Sequence, residues 1–165
     1  VRFCPPAPSQ EGAFFVLEKR LSMVDEKWMA TVKEFFEEHI AFDKHLGLLI
    51  EEVRPGWVRV RLPFKPEFLG DPFRKALHGG VISTVVDATA GAAALSTLPY
   101  GSRCSTVDMR VDYLLPAQPQ ELLAEGRVLR SGNQVAVINV DVIQGENQRI
   151  ATGRAVYSLK AAVAQ

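Results

Sequence analysis

The sequence predicts an α+β protein whose helices gather on one face of an antiparallel sheet. Three observations carry this: two strand-like runs precede a long apolar helix, four strand patterns follow it, and strands and helices never alternate. At 165 residues the chain fits one domain of the usual ~150. That length suffices to bury about two thirds of the unfolded surface without disulfide staples. The 47% apolar and 23% charged composition excludes collagen-like, low-complexity and wholly disordered chains.

Residues 1–23 carry Pro5, Pro6 and Pro8 and show no period, which predicts an irregular arm. From Met23, Trp28, Met29, Val32, Phe35, Phe36, His39 and Ile40 recur at three- and four-residue steps, the stripe of an amphipathic helix laid over an edge or face of the body. Residues 1–45 thus form an arm and helix, and residues 46–165 the main domain. LLIEEV and WVRVRL, joined by Pro55-Gly56, read as a hairpin. A punctuated loop, PFKPEFLGDPFRKAL, leads into an apolar helix that starts near Gly79 and stops at Pro99-Tyr100-Gly101. Val81 to Leu98 is a poor membrane span, because alanines, hydroxyl residues and a central Asp87 dilute it. Its small residues, Ala88 and Ala90 to Ala94, let a curved sheet approach the helix closely. Four strand patterns then run from Ser105 to Leu115, Glu121 to Leu129, Gln134 to Ile143 and Arg149 to Leu159. Short Gly/Asn turns separate the last three, and the whole reads as an antiparallel meander.

Charge narrows the function. Nineteen Lys plus Arg balance nineteen Asp plus Glu, so the field that draws in nucleic acid or an acidic membrane is missing. Cys4 and Cys104 lie far apart without metal-type spacing, which suits a reducing, cytoplasmic setting. GAFFVLEKR is too short and too soon charged for a signal peptide. No two of the three histidines share ligand spacing on one element, so no metal is expected, and His39 and His45 read as structural.

Asp87 stands inside the packed helix, where aspartate is a poor helix former and an expensive group to bury unpaired. Ser83 or Thr84 could satisfy it as a structural carboxylate; the other reading is catalytic. His78-Gly79-Gly80 stands at the helix start, where glycines leave backbone N–H groups open at the positive helix end. A carboxylate and an N–H pocket are the minimum kit for acyl transfer. Along one helix Gly79 and Asp87 lie about 12 Å apart, too far to serve one reacting carbon. Acting together, they must come from two chains related by a two-fold axis, which predicts an obligate homodimer. His78 is an alternative base, since imidazole titrates near neutrality. Cys104 has no basic partner to make it a nucleophile.

These residues resemble the hotdog-fold acyl-CoA thioesterases, in particular the phenylacetyl-CoA thioesterase-like branch, over roughly residues 45–160. The resemblance is carried by LHGGVISTVVDATAGAAA (residues 77–94), STVDMRVDYLLPA (residues 105–117) and AEGRVLRSGNQVAVINVDV (residues 124–142). It implies a five- or six-stranded antiparallel sheet wrapped around the long helix, dimers that often pair into tetramers, and hydrolysis of a thioester to a carboxylic acid and CoA. No cofactor is implied, because CoA belongs to the substrate. By position Asp87 matches the catalytic carboxylate, as base or nucleophile, Gly79 the oxyanion-hole N–H, and His78 the residue shaping that loop. Gly80 shares the loop, and Phe68, Phe73 and Leu77 are candidates to line the acyl pocket. The Arg130-Ser131-Gly132-Asn133 turn is a candidate contact for the CoA phosphates, with Arg103 and Lys75 behind it. Two departures stand out. Asp71 and Pro72 occupy the positions of a water-placing Asn or Gln, with Asp71 the expected substitute, and Gly91 stands where some relatives carry Ser or Thr. A non-catalytic acyl-CoA-binding or regulatory protein and an enoyl-thioester hydratase are the competing functions. The hydratase motif's Asn is missing between Asp71 and His78.

Overall fold

The structure, a computed structural model, describes residues 26–162; the proline-rich arm and Cys4 lie outside the described residues. Helix α1 (Glu26–Glu34) runs into a π-helical turn (Phe35–His39) and then α2 (Ala41–Leu46). The hairpin β1 (Leu49–Arg54) and β2 (Trp57–Leu62) follows, then a short 3-10 turn (Pro66–Phe68). The small strands β3 (Leu69–Asp71) and β4 (Ala76–Leu77) lead into the long helix α3 (Gly79–Leu95). Four strands complete the chain: β5 (Arg103–Tyr113), β6 (Leu122–Ser131), β7 (Val135–Gln144) and β8 (Gln148–Lys160).

The main sheet has six strands in the order β1-β2-β6-β7-β8-β5, every neighbouring pair antiparallel. Only β6, β7 and β8 form the expected meander. Strand β5 instead crosses to the far edge and pairs with β8, leaving β6 to pair with β2. The connection explains the difference: residues 114–121 hold Pro116 and Pro119 and lack the tight Gly/Asn turn that a hairpin needs. The loop before α3 also carries more order than its composition suggested, because β3 and β4 pair as a miniature hairpin.

The sheet wraps α3. Inward residues of β2, β6, β7 and β8, among them Val60, Ala124, Ile138 and Ala155, are buried against its alanines. At Gly153 a Cβ would collide with the Val86 side chain, so the backbone of β8 can run this close only with glycine there. The helical lead belongs to the same core, through Trp28, Met29, Val32 and Phe36. It covers the opposite edge of the sheet as well: the Ile50 N–H of β1 donates to Glu37 at 2.6 Å, occupying an edge donor. The amphipathic stripe does not continue as one helix. The π turn inserts between α1 and α2 and brings Phe35 and Phe36 edge to face, ring centroids 5.6 Å apart. His39 consequently sits on the surface rather than in the packed stripe.

Candidate active site

The N-terminus of α3 is capped by its own first histidine. The His78 Nδ1 accepts from Gly80 N–H at 2.9 Å, which leaves the proton of a neutral imidazole on Nε2 and engages the nitrogen that a base would use. His78 therefore shapes the loop, and the Gly80 N–H is occupied. Gly79, the first helical residue, is different: its N–H finds no acceptor among the described residues. Tyr113 walls this point. Its hydroxyl donates to the Gly79 carbonyl at 3.1 Å and contacts Ser83 Oγ, and its ring would lie in ordinary van der Waals contact with a side chain at Gly79.

Asp87 lies two turns further along. The hydroxyls expected to satisfy it do not: Ser83 and Thr84 donate back to the carbonyls of Gly79 and Gly80. Its partners come from the sheet. Thr106 Oγ1 donates to Oδ1 at 2.8 Å and the Tyr157 hydroxyl to the same oxygen at 2.6 Å. Oδ2 accepts nothing among the described residues, so the carboxylate is held by one oxygen and offers the other. A bulge at Val107 makes this possible, since it shifts the register of β5 against β8. Cys104 and Thr106 face α3 before it, and Met109 and Tyr113 after it. Gly91 has a role here too: a Cβ on it would approach the Tyr157 hydroxyl to 3.1 Å. The phenol of β8 thus fills the space one turn after Asp87. Burial first, then the hydrogen bond to Asp87, holds the Tyr157 phenol above its ordinary range. Burial, with the Asp87 charge second, pushes the Cys104 thiol up to about 11, so it stays protonated and is no nucleophile.

Asp87 opens onto a cavity of about 880 Å³. Trp28, Phe35 and Phe36 of the helical lead line it, together with Leu95 and with Tyr100, whose ring meets Trp28 edge to face. A second cavity of about 420 Å³ lies beside His78 and Gly80, and Phe42 and Thr84 border both. Arg103 lies on the rim of the larger one.

The other predicted residues are placed elsewhere in the chain. Asp71 accepts from the N–H groups of Phe73 and Arg74 at 2.9 and 3.0 Å and pairs with the Arg74 guanidinium, so it is engaged in its own turn. Phe73 is 96% exposed at the tip of that turn, while Leu77 and Phe68 are core residues. None of these four borders the larger cavity, and neither do Arg130 and Asn133 of the β6–β7 turn. Sequence reasoning missed Thr106, Tyr113 and Tyr157. The inward parity of β8 pointed to Tyr157; the bulge in β5, which places the others, left no sequence signal.

A long helix wrapped by a six-stranded antiparallel sheet defines the hotdog fold, and the relatives of this chain make it a thioester hydrolase. Residues 75–151 match the thioesterase superfamily. The chain is 32% identical over 145 residues to the medium/long-chain acyl-CoA thioesterase YigI of Escherichia coli K12, covering 80% of this chain and 94% of that one. A Shewanella oneidensis protein related to the thioesterase superfamily is 32% identical and superposes with a TM-score of 0.71 over 80% of this chain and 95% of its own. The E. coli PaaI protein from the phenylacetic acid degradation operon, at 20% identity, shares the fold with a TM-score of 0.74 over 82% of this chain and 95% of its own. The protein belongs to the thioesterase superfamily.

Proposed function

We propose that the protein is a homodimeric acyl-CoA thioesterase that hydrolyses medium- and long-chain acyl groups, each site combining the Gly79 N–H of one protomer with Asp87 of the other. One observation carries the reading: a single helix presents an unsatisfied N–H at its start and a half-used carboxylate about 12 Å along, a separation that one chain cannot close. Two surfaces support a second copy. The sheet leaves the Gly80, Ser83, Thr84 and Asp87 stripe of α3 less covered than the rest. Strand β5 is an eleven-residue edge with an unpaired side, on which Val107 and Tyr113 are exposed among charged residues and which continues into exposed Leu114 and Leu115, so it is long enough to pair with a second copy. Antiparallel apposition of two α3 helices would bring each Gly79 toward the other chain's Asp87.

In the reaction the thioester carbonyl points at the Gly79 N–H and a water attacks its carbon. Oδ2 of Asp87 takes the water proton, the carbonyl electron pair moves onto the oxygen facing Gly79, and collapse breaks the C–S bond. The thiolate of CoA then recovers the proton from Asp87. The apolar cavity receives the acyl chain; its volume lies at the upper end of the ~300–1,000 Å³ of small-molecule sites, and the name of the E. coli relative agrees with that size. A reducing, cytoplasmic setting suits Cys104, which stands as a free thiol. Thiol release from short, medium, long and aromatic acyl-CoAs tests the proposal. Medium or long chains should give the highest kcat/KM, and Asp87→Asn should lower kcat ~10²–10⁴-fold with Tm unchanged. Tight acyl-CoA binding without thiol release would favour the non-catalytic alternative. In heavy-oxygen water a single turnover should label the released acid; label in Asp87 instead would make that residue the nucleophile.

A further inference from the structure

An aspartate in the first turn of a helix ordinarily faces solvent, where the positive helix end favours it. Asp43 occupies that position in α2 yet is only 5% exposed. Its backbone carbonyl is engaged, accepting from the N–H groups of Gly47 and Leu48. No donor reaches its carboxylate among the described residues, and it lines the same cavity as Asp87. A buried carboxylate without a hydrogen bond is expensive, and nothing in the packing of α2 requires one. The ionisable groups that share the cavity are Asp87 on α3, Tyr100 beyond its end, Arg103 and Cys104 on β5 and Tyr157 on β8. On its own element Lys44 is drawn away by Glu38, at 2.7 Å, and His45 lies outside on the surface.

We infer that Asp43 is a positioning residue for hydrolysis: its carboxylate accepts one hydrogen of the attacking water while Asp87 removes the other. The inference rests on the thioesterase reading above and supplies the water-holding group that Asp71 and Pro72 do not provide. Asp43 neither gains nor loses a proton over the cycle. The new C–O bond forms from the water oxygen, the transferred proton rests on Asp87, and it leaves on the sulfur as the C–S bond breaks. Ionised, Asp43 holds that hydrogen in a charge-assisted bond; protonated, it accepts only as a neutral carbonyl and more weakly. Burial, and after it the charge of Asp87, raise its acid to about 6, so turnover should fall as pH drops through that value. Stability runs the other way. A carboxyl with its folded pKa above the ordinary ~3.9 favours the folded state when protonated. Its cost is absent below pH ~4 and complete above about 6.

The test is a pair of variants, Asp43→Asn and Asp43→Leu, compared with wild type for kcat, KM and Tm across pH. We expect kcat to fall ~10–100-fold in Asp43→Leu, the loss of one hydrogen bond to a charged group, and less in Asp43→Asn, whose amide oxygen still accepts from water. KM should change little, the acid limb near pH 6 should vanish, and Tm above pH 7 should rise by about 3 °C or more. Wild-type kcat with an unchanged acid limb in both variants would overturn the inference, as would a lower Tm with normal turnover per folded molecule. If those results accompany an inactive Asp87→Asn, only the role of Asp43 falls. A fully active Asp87→Asn would overturn the hydrolytic reading itself.

Discussion

The two sides of α3 obey different rules. On the sheet side Ile82, Val85, Val86, Ala90 and Ala93 are buried to a few per cent exposure or less, and each position is set by how closely a strand can approach. On the other side Gly80, Thr84, Asp87 and Gly91 are small or polar, and only Leu95 at the end of the cavity stripe is large and apolar. There the backbone and one carboxylate are left available rather than packed away. The same helix is therefore core along one stripe and accessible along the other. Changes on the first side should read out as stability, and changes on the second as turnover.

That division can be broken or sharpened by substitution. After Asp87 itself, the largest effect is at the helix start. Gly79→Pro deletes the N–H while proline suits the first helical position, and His78 already has the extended backbone, φ −67° and ψ 132°, that a following proline demands. It should lower kcat ~10²–10³-fold, the worth of one oxyanion donor, with the circular dichroism spectrum intact. Unimpaired turnover would remove Gly79 from the site. Next comes the sheet side: Gly153→Ala drives a methyl into Val86 and should cost ~1–3 kcal/mol in denaturant melts with turnover per folded molecule preserved. A variant as stable as wild type would show that β8 can yield where the packing says it cannot. The smallest effect falls between the two sides, at Tyr157→Phe, which removes one of two donors to Asp87 Oδ1. About a tenfold loss in kcat is expected from that hydrogen bond to a charge. A change in Tm alone would return Tyr157 to the core.

How legible the site was from sequence follows the same division. Asp87 was visible because an acid interrupts an otherwise apolar helix, and His78-Gly79-Gly80 because two glycines stand where a helix must begin. Both signals are local, and both landed where the spacing put them. What holds Asp87 is not local. Thr106 and Tyr157 reach it across 19 and 70 residues of sequence, and the parity that aims Thr106 inward depends on a bulge that alternation rules do not reveal. The crossing of β5 to the far edge escaped for a related reason: strand patterns show which segments extend, while pairing order depends on the connections. Asp43 was hidden by its surroundings. In AFDKHL it looks like an ordinary first-turn acid, and only the bend after the π turn carries it inward. Phe73, assigned to a pocket by proximity in sequence, is 96% exposed at the tip of its turn in the single chain.

The claim that two chains share each site is tested most directly by mixing two inactive variants. Co-expressed Gly79→Pro and Asp87→Asn chains assort into mixed dimers in which one site carries both lesions and the other carries neither. Random assortment should restore about one quarter of wild-type activity, with each variant alone inactive. A mixture that forms mixed dimers yet stays as inactive as its parents would place both residues in a site made by a single chain and contradict that claim.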